Sequence, residues 1–260
     1  MNDDKAPSIS PIDLYALLGT GAAPVIVDVR RDPPANGDPL LAGAAWRAPQ
    51  NTEQWRAGLP AGRNVVVYCA DGADVSPGVA ASLRKKGIAA SYLAGGLKSW
   101  TDSKFPVRRG RGAEQRASQW VTREHPKIDR IACPWLVSRF VDPFAEFIYV
   151  PANTVASFAK ENGAIPYDIE NVEFGHVGDR CSFDAIVSAY DIHDVALDQL
   201  ATIVRGADTS RPDLTPHCEG LLAISFGLSS NFPDDHEMLK HGLVIYDALY
   251  KWCRLQNAKH

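Results

Sequence analysis

The chain has 260 residues, a formal net charge of −4, and 45% hydrophobic against 22% charged residues, enough for two domains of typical size. That balance gives no reason to expect DNA or a membrane surface as the main partner, and no apolar run nears the roughly 20 residues that span a bilayer. The acidic, polar start MNDDKAPSIS leads us to expect a cytoplasmic protein, and five scattered cysteines with no C-x-x-C pair are expected as free thiols.

Residues 11–18, PIDLYALL, predict a helix with Ser10 as N-cap and Pro11 at its first position. The valine-rich runs at 24–29 and 64–68 are bounded by turn residues and separated by more chain than a hairpin needs, so they predict buried parallel strands. A helix follows over 77–86, with Ser76 as N-cap and Gly87 as its stop, then a strand at 90–93 and a short helical turn in GGLKSW. The sum is a small α/β domain with a mostly parallel sheet.

In such sheets ligands bind beyond the carboxyl ends of the strands. Cys69 sits there, followed by the loop Ala70, Asp71, Gly72, Ala73, Asp74 and Val75. Loop amides pointing to a common centre form an anion cradle, reinforced by the next helix, and the same cradle lowers a thiol pKa. At a pKa near 8.5 about 3% of a thiol is thiolate at pH 7; at a pKa near 7 roughly half is.

Four stretches of this segment, VDVR at 27–30, LLAGAAWRAP at 40–49, the strand, loop and helix around Cys69, and YLAGGLKSW at 92–100, resemble a rhodanese-type sulfurtransferase domain over residues 8–107. The resemblance implies that Cys69 takes a sulfane sulfur from a donor such as thiosulfate, holds it as a persulfide and passes it to a thiol acceptor. Usual single-domain members carry C-x-x-G-x-R-S; here the loop is one residue longer and has lost its arginine, and the phosphatase and arsenate-reductase relatives, whose longer loop it resembles, would have an arginine where Val75 stands. Cations would then come from outside the loop, and Arg30, Arg31 and Arg47 are the candidates, with Asp28 at the same strand end. Asp71 and Asp74 act against a thiolate: a carboxylate about 6 Å from sulfur opposes it by roughly 2.8 kcal/mol at an effective dielectric near 20.

Residues 104–118 carry four arginines and a lysine without apolar periodicity, and 108–118 are expected as a linker. A second domain, 119–258, opens with a short strand, and Pro126 predicts a helix start with His125 as N-cap. His125, Asp129 and Cys133 would then share one helix face, with a kink or restart at Pro134. A strand is expected at 146–150, then a loop bearing His176, Asp179 and Cys181 before a helix capped by Ser182. Helices follow near 194–207, 217–228 and 234–255, the last with Leu239, Leu243, Tyr246 and Tyr250 in a stripe broadened by Met238, Val244 and Ile245. The domain is expected to be α+β and mainly helical.

HPKIDRIACPWLVSRFVDP, EFGHVGDRCSFDAI, IVRGAD, EGLLAISFGLS and DDHEMLKHGLVIYDALYKWC resemble, in order, the C-terminal domain of the chromate-resistance family labelled ChrB, from about Trp120 to Cys253. The resemblance implies a role in chromate resistance, as sensing, reduction or oxidative protection. From residue types, His125, Asp129, Arg130, Cys133 and Arg180 are candidate site residues, and His176, Asp208 and His241 a candidate ligand set for iron, manganese or zinc. The leading expectation is a sulfurtransferase-like protein working through Cys69. The alternatives are a non-catalytic sensor for chromate or another oxyanion, reaching nucleic acid through Arg108, Arg109 and Arg111 if at all, and a metal-dependent oxidoreductase confined to the second domain.

Overall fold

The computed structural model describes residues 6–111 and 116–257. Contacts divide the chain into two compact units, one holding the chain up to Arg116 together with Arg139–Phe144, the other Ala117–Ser138 and the chain from Ala145 onward.

In the first unit β1 (Ser8–Ile9), α1 (Pro11–Leu17), β2 (Val25–Asp28), β3 (Pro39–Leu41), β4 (Ala44–Trp46), α2 (Thr52–Trp55), β5 (Val65–Tyr68), α3 (Ser76–Lys85), β6 (Ala90–Leu93), α4 (Gly96–Asp102) and β7 (Val107–Arg109) follow in order. Five of the strands form a sheet in the order β1-β6-β5-β2-β4, every pair parallel. Val25, Val27, Val65 and Val67 are buried with Val79, Ala80 and Leu83 of α3 against them, which is why these strands read as unbroken valine runs. Ser10 caps α1 through Asp13 N–H.

Two local expectations for this unit are corrected. Ser76 is the first residue of α3 and not its cap, which is Val75; the hydroxyl turns away to the sulfur of Cys69. The start of the expected linker is structured: β7 pairs antiparallel with β3, opposing Arg108 to Leu40, and the guanidinium of Arg108 is fully buried, donating to Ala44 O at 2.8 Å. An arginine held inside the unit cannot serve as a contact to nucleic acid. Residues 112–115 of the expected linker lie outside the described residues.

The second unit contains β8 (Gln119–Arg123), α5 (Asp129–Leu136), β9 (Glu146–Val150), α6 (Val155–Asn162), β10 (Ile165–Pro166), α7 (Ser182–Ala189), α8 (Val195–Asp208), α9 (Cys218–Asn231) and α10 (Asp235–Asn257). Its sheet is parallel, in the order β10-β8-β9. Trp135 of α5 is fully buried between Phe183 of α7 and Tyr246 and Tyr250 of α10, and its indole N–H donates to Asp247 at 2.8 Å. On α10 the buried stripe is Met238, Leu239, Gly242, Tyr246, Tyr250 and Cys253; Val244, expected to widen it, is 66% exposed.

Helix α5 begins at Asp129, three residues later than Pro126 suggests. His125 and Ile128 take positive φ values of 56° and 39°, and side chains from elsewhere serve this turn: Asp235 accepts the His125 N–H, Tyr246 donates to Ile128 O, and Arg130 donates to Glu124 O. Tertiary hydrogen bonds thus outweigh the local helix-start signal. His125 therefore leaves the face shared by Asp129 and Cys133. The helix runs on through Pro134 and gives way to a π-helical turn at Val137–Val141, where Ser138 donates to Pro134 O at 2.7 Å. Cys181 caps α7, with Ser182 as the first helical residue.

Candidate functional site

Cys69 stands immediately past β5, and its loop returns into α3. Although the residue is only 4% exposed, its thiol pKa lies below the ordinary value. Burial pushes it up, but the Ser76 hydroxyl 3.2 Å away and the backbone N–H groups of Ser76, Val75 and Gly72 outweigh that. The loop therefore has the amide cradle expected of a strand-to-helix turn. Ser76 gives up helix capping to complete it.

The cradle is held from outside by the Gly95-Gly96 step. Leu97 N–H donates to Cys69 O and Lys98 N–H to Ala70 O, both at 2.9 Å. Gly96, at φ 56°, lies so close that a Cβ would overlap Cys69 O and sit 2.6 Å from Gly72 N. Gly72, at φ 75°, would place a Cβ 2.7 Å from Leu93 O. Two glycines with positive φ thus let two backbone segments meet without side chains between them.

The two loop carboxylates have different fates. Asp74 turns outward and pairs with Arg31 at 3.2 Å, both side chains mostly exposed. Asp71 accepts the N–H of Ala73 at 3.0 Å, and its Oδ1 remains 3.8 Å from Sγ, where it receives the neutral thiol. Arg30 is bound to the buried Asp28 at 2.6 Å and donates to Pro39 O, while Tyr68 OH donates to the same carboxylate at 3.1 Å. Arg30 and Arg31 line the cleft over Cys69, about 370 Å³ in volume, together with Asp32, Asp38, Asp71 and Asp74. Arg47 does not. It donates to Trp46 O, lies over the Phe144 ring at 4.5 Å, and lines a separate recess with Trp46, Asn51 and Trp55.

All five cysteines are buried free thiols. Burial pushes up the pKa of Cys133, Cys181 and Cys218, and raises that of Cys253 to about 11. Iodoacetamide at about pH 7.5 is therefore expected to modify one thiol quickly. Its rate should rise with pH to a plateau with a midpoint below that of an ordinary thiol, and Cys69→Ser should leave only slow reaction. Comparable labelling of two or more thiols, mapped by peptide mass spectrometry, would contradict the assignment.

In the second unit Asp129, Asp168, His176 and Asp208 come together, with one ligand atom of each within 4.8 Å of the others. Hydrogen bonds to Asp129 and Asp168 raise the His176 pKa to about 10, and burial beside Asp129 and Asp168 raises that of Asp208 to about 7. Arg130 adjoins the group through Asp168 at 3.3 Å. His241 lies elsewhere, beside Glu237 and stacked on Phe232, and is corrected out of the set; His125 and Arg180 are exposed, and Cys133 is buried in α5. Asp168 is the member that sequence reasoning missed. The available signal was its place just past the carboxyl end of a parallel strand, the position Cys69 holds in the first unit.

The chain matches the family described as ChrB, C-terminal domain, over residues 120–253, and the rhodanese-like domain family over residues 10–103. A relative, Protein ChrB of Cupriavidus metallidurans, is 31% identical over 135 residues; the match covers 51% of this chain, which spans 40% of that protein's length. Among solved structures, a rhodanese-related protein from Thermoplasma volcanium is 20% identical, covering 39% of this chain and 96% of its own, with a TM-score of 0.32. A rhodanese homolog from Thermus thermophilus is 34% identical, covering 35% and 98%, with a TM-score of 0.29.

Proposed function

Starting from the fact that the chain belongs to the family of ChrB C-terminal domains and carries a rhodanese-like domain ahead of it, we propose that Cys69 carries sulfane sulfur as a persulfide, in a protein associated with chromate resistance. The observation that supports this reading is the thiol of depressed pKa inside an amide cradle at the mouth of an open cleft.

The charges around the cleft bear on the donor. Its lining has two more carboxylates than cations, and Arg30 is already committed to Asp28. A dianion such as thiosulfate or chromate meets a repulsive field there, whereas an organic persulfide carries less charge into it. In the proposed step the Cys69 thiolate attacks the outer sulfur of the persulfide, the new Sγ–S bond forms as the donor's S–S bond breaks, and the donor leaves as a thiol with the proton. A second thiolate then attacks the outer sulfur and returns Cys69 to its starting form. With thiosulfate the leaving group would be sulfite. A sensor holding chromate in this cleft would require the opposite balance of charge.

Intact-mass measurement tests the reading. An organic persulfide is expected to add one sulfur to the chain, thiosulfate to add it more slowly, and Cys69→Ser to abolish the addition from either. No added sulfur, with all thiols reduced beforehand, would rule out the carrier.

A further inference from the structure

The Asp129, Asp168, His176 and Asp208 group is built from four separate pieces of the second unit: the first residue of α5, the segment after β10, the loop before α7 and the last residue of α8. The Nε2 of His176 lies 3.1 Å from Asp208 Oδ2, 3.2 Å from Asp168 Oδ1 and 3.6 Å from Asp129 Oδ2. One imidazole nitrogen carries at most one proton, which cannot serve three carboxylate oxygens at once. A cation with bonds near 2.1 Å spaces neighbouring ligands about 3.0 Å apart in an octahedron and about 3.4 Å apart in a tetrahedron. The separations at 3.1 and 3.2 Å fall in that interval and the third lies just above it.

The surroundings support the same use. Arg123 at 3.1 Å and Arg130 at 3.3 Å both hold one oxygen of Asp168, Oδ2, which offsets its charge, while Oδ1 faces His176 and accepts from Ser182 Oγ at 3.3 Å. Asp129 is oriented by the N–H groups of Ser182, at 2.6 Å, and Phe183. Carboxylates held in place by further hydrogen bonds are the arrangement that positions metal ligands. Three carboxylates against these two guanidiniums still leave the centre net negative, which favours a cation.

We propose that Asp129, Asp168, His176 and Asp208 bind a divalent first-row cation, His176 through Nε2 and each carboxylate through one oxygen. An oxygen-rich set with one imidazole and no thiolate suits manganese, iron or zinc in the divalent state and disfavours copper(I).

The test uses the full chain, stripped with EDTA, dialysed and titrated with Mn²⁺ while the free ion is followed by electron paramagnetic resonance, with Zn²⁺ as competitor. One ion per chain is expected, displaced by Zn²⁺. His176→Ala and Asp208→Asn should each weaken binding by at least about tenfold, and His241→Ala should leave it unchanged. Circular dichroism of each variant confirms folding, and the ion should raise the melting temperature of the parent chain but not of the variants. Failure of the parent chain to bind either ion, or equal binding by the folded variants, would overturn the proposal.

Discussion

Gly96→Ala is expected to unseat the Cys69 loop. The substituted residue would have to hold φ 56° while its Cβ overlapped Cys69 O and crowded Gly72 N. Backbone cannot yield as a flexible side chain does, so the loop and the 95–98 segment must part, at a cost of roughly 2–5 kcal/mol. The same movement removes the amides that depress the thiol pKa. Urea denaturation followed by circular dichroism should show a lowered midpoint, and iodoacetamide labelling at neutral pH should slow as the thiol pKa moves back up toward its ordinary value. Labelling as fast as in the parent chain would mean that the Gly95-Gly96 step does not set the reactivity of Cys69.

Asp184→Ala is expected to cost about 3 kcal/mol in the second unit. The Asp184 side chain is 4% exposed, accepts two bonds from Arg205 at 2.8 and 2.7 Å, and accepts the N–H of Cys181 at the start of α7. Truncation strands a half-buried guanidinium and a buried amide together. It also loosens the α7 terminus, whose first amide positions Asp129. Asp184→Asn retains an acceptor for the amide but loses the charged pair, so its urea midpoint should fall between the two. Equal midpoints for Asp184→Ala and the parent chain would show that the pair contributes nothing.

The parts of the fold legible in the sequence are those fixed by local chemistry. Valine runs buried on both faces gave away β2 and β5, Ser10 and Pro11 marked the start of α1, and Gly87, at φ 80°, the end of α3. Cys69 could be placed at a strand end for the same reason. Features set by distant partners were not readable. Ser76 leaves its capping role because a sulfur seven residues earlier is the better partner, and Pro126 fails to start α5 because Asp235 and Tyr246 hold the preceding turn. Arg108 looked like linker charge because nothing near it in sequence reveals that Ala44 O awaits it. In the second site His176 and Asp208 were named from residue type, but only the fold brings Asp129 and Asp168 to them and leaves His241 aside.

The contrast between one depressed thiol and four raised ones also bears on damage. Oxidation of cysteine to sulfenic, sulfinic and sulfonic acid follows thiolate character and access, and both are concentrated at Cys69, which opens onto the cleft while burial keeps the other four protonated. An oxidant reaching this chain therefore meets a single fuse. Oxidation is therefore expected at Cys69 ahead of the cysteines packed inside the second unit.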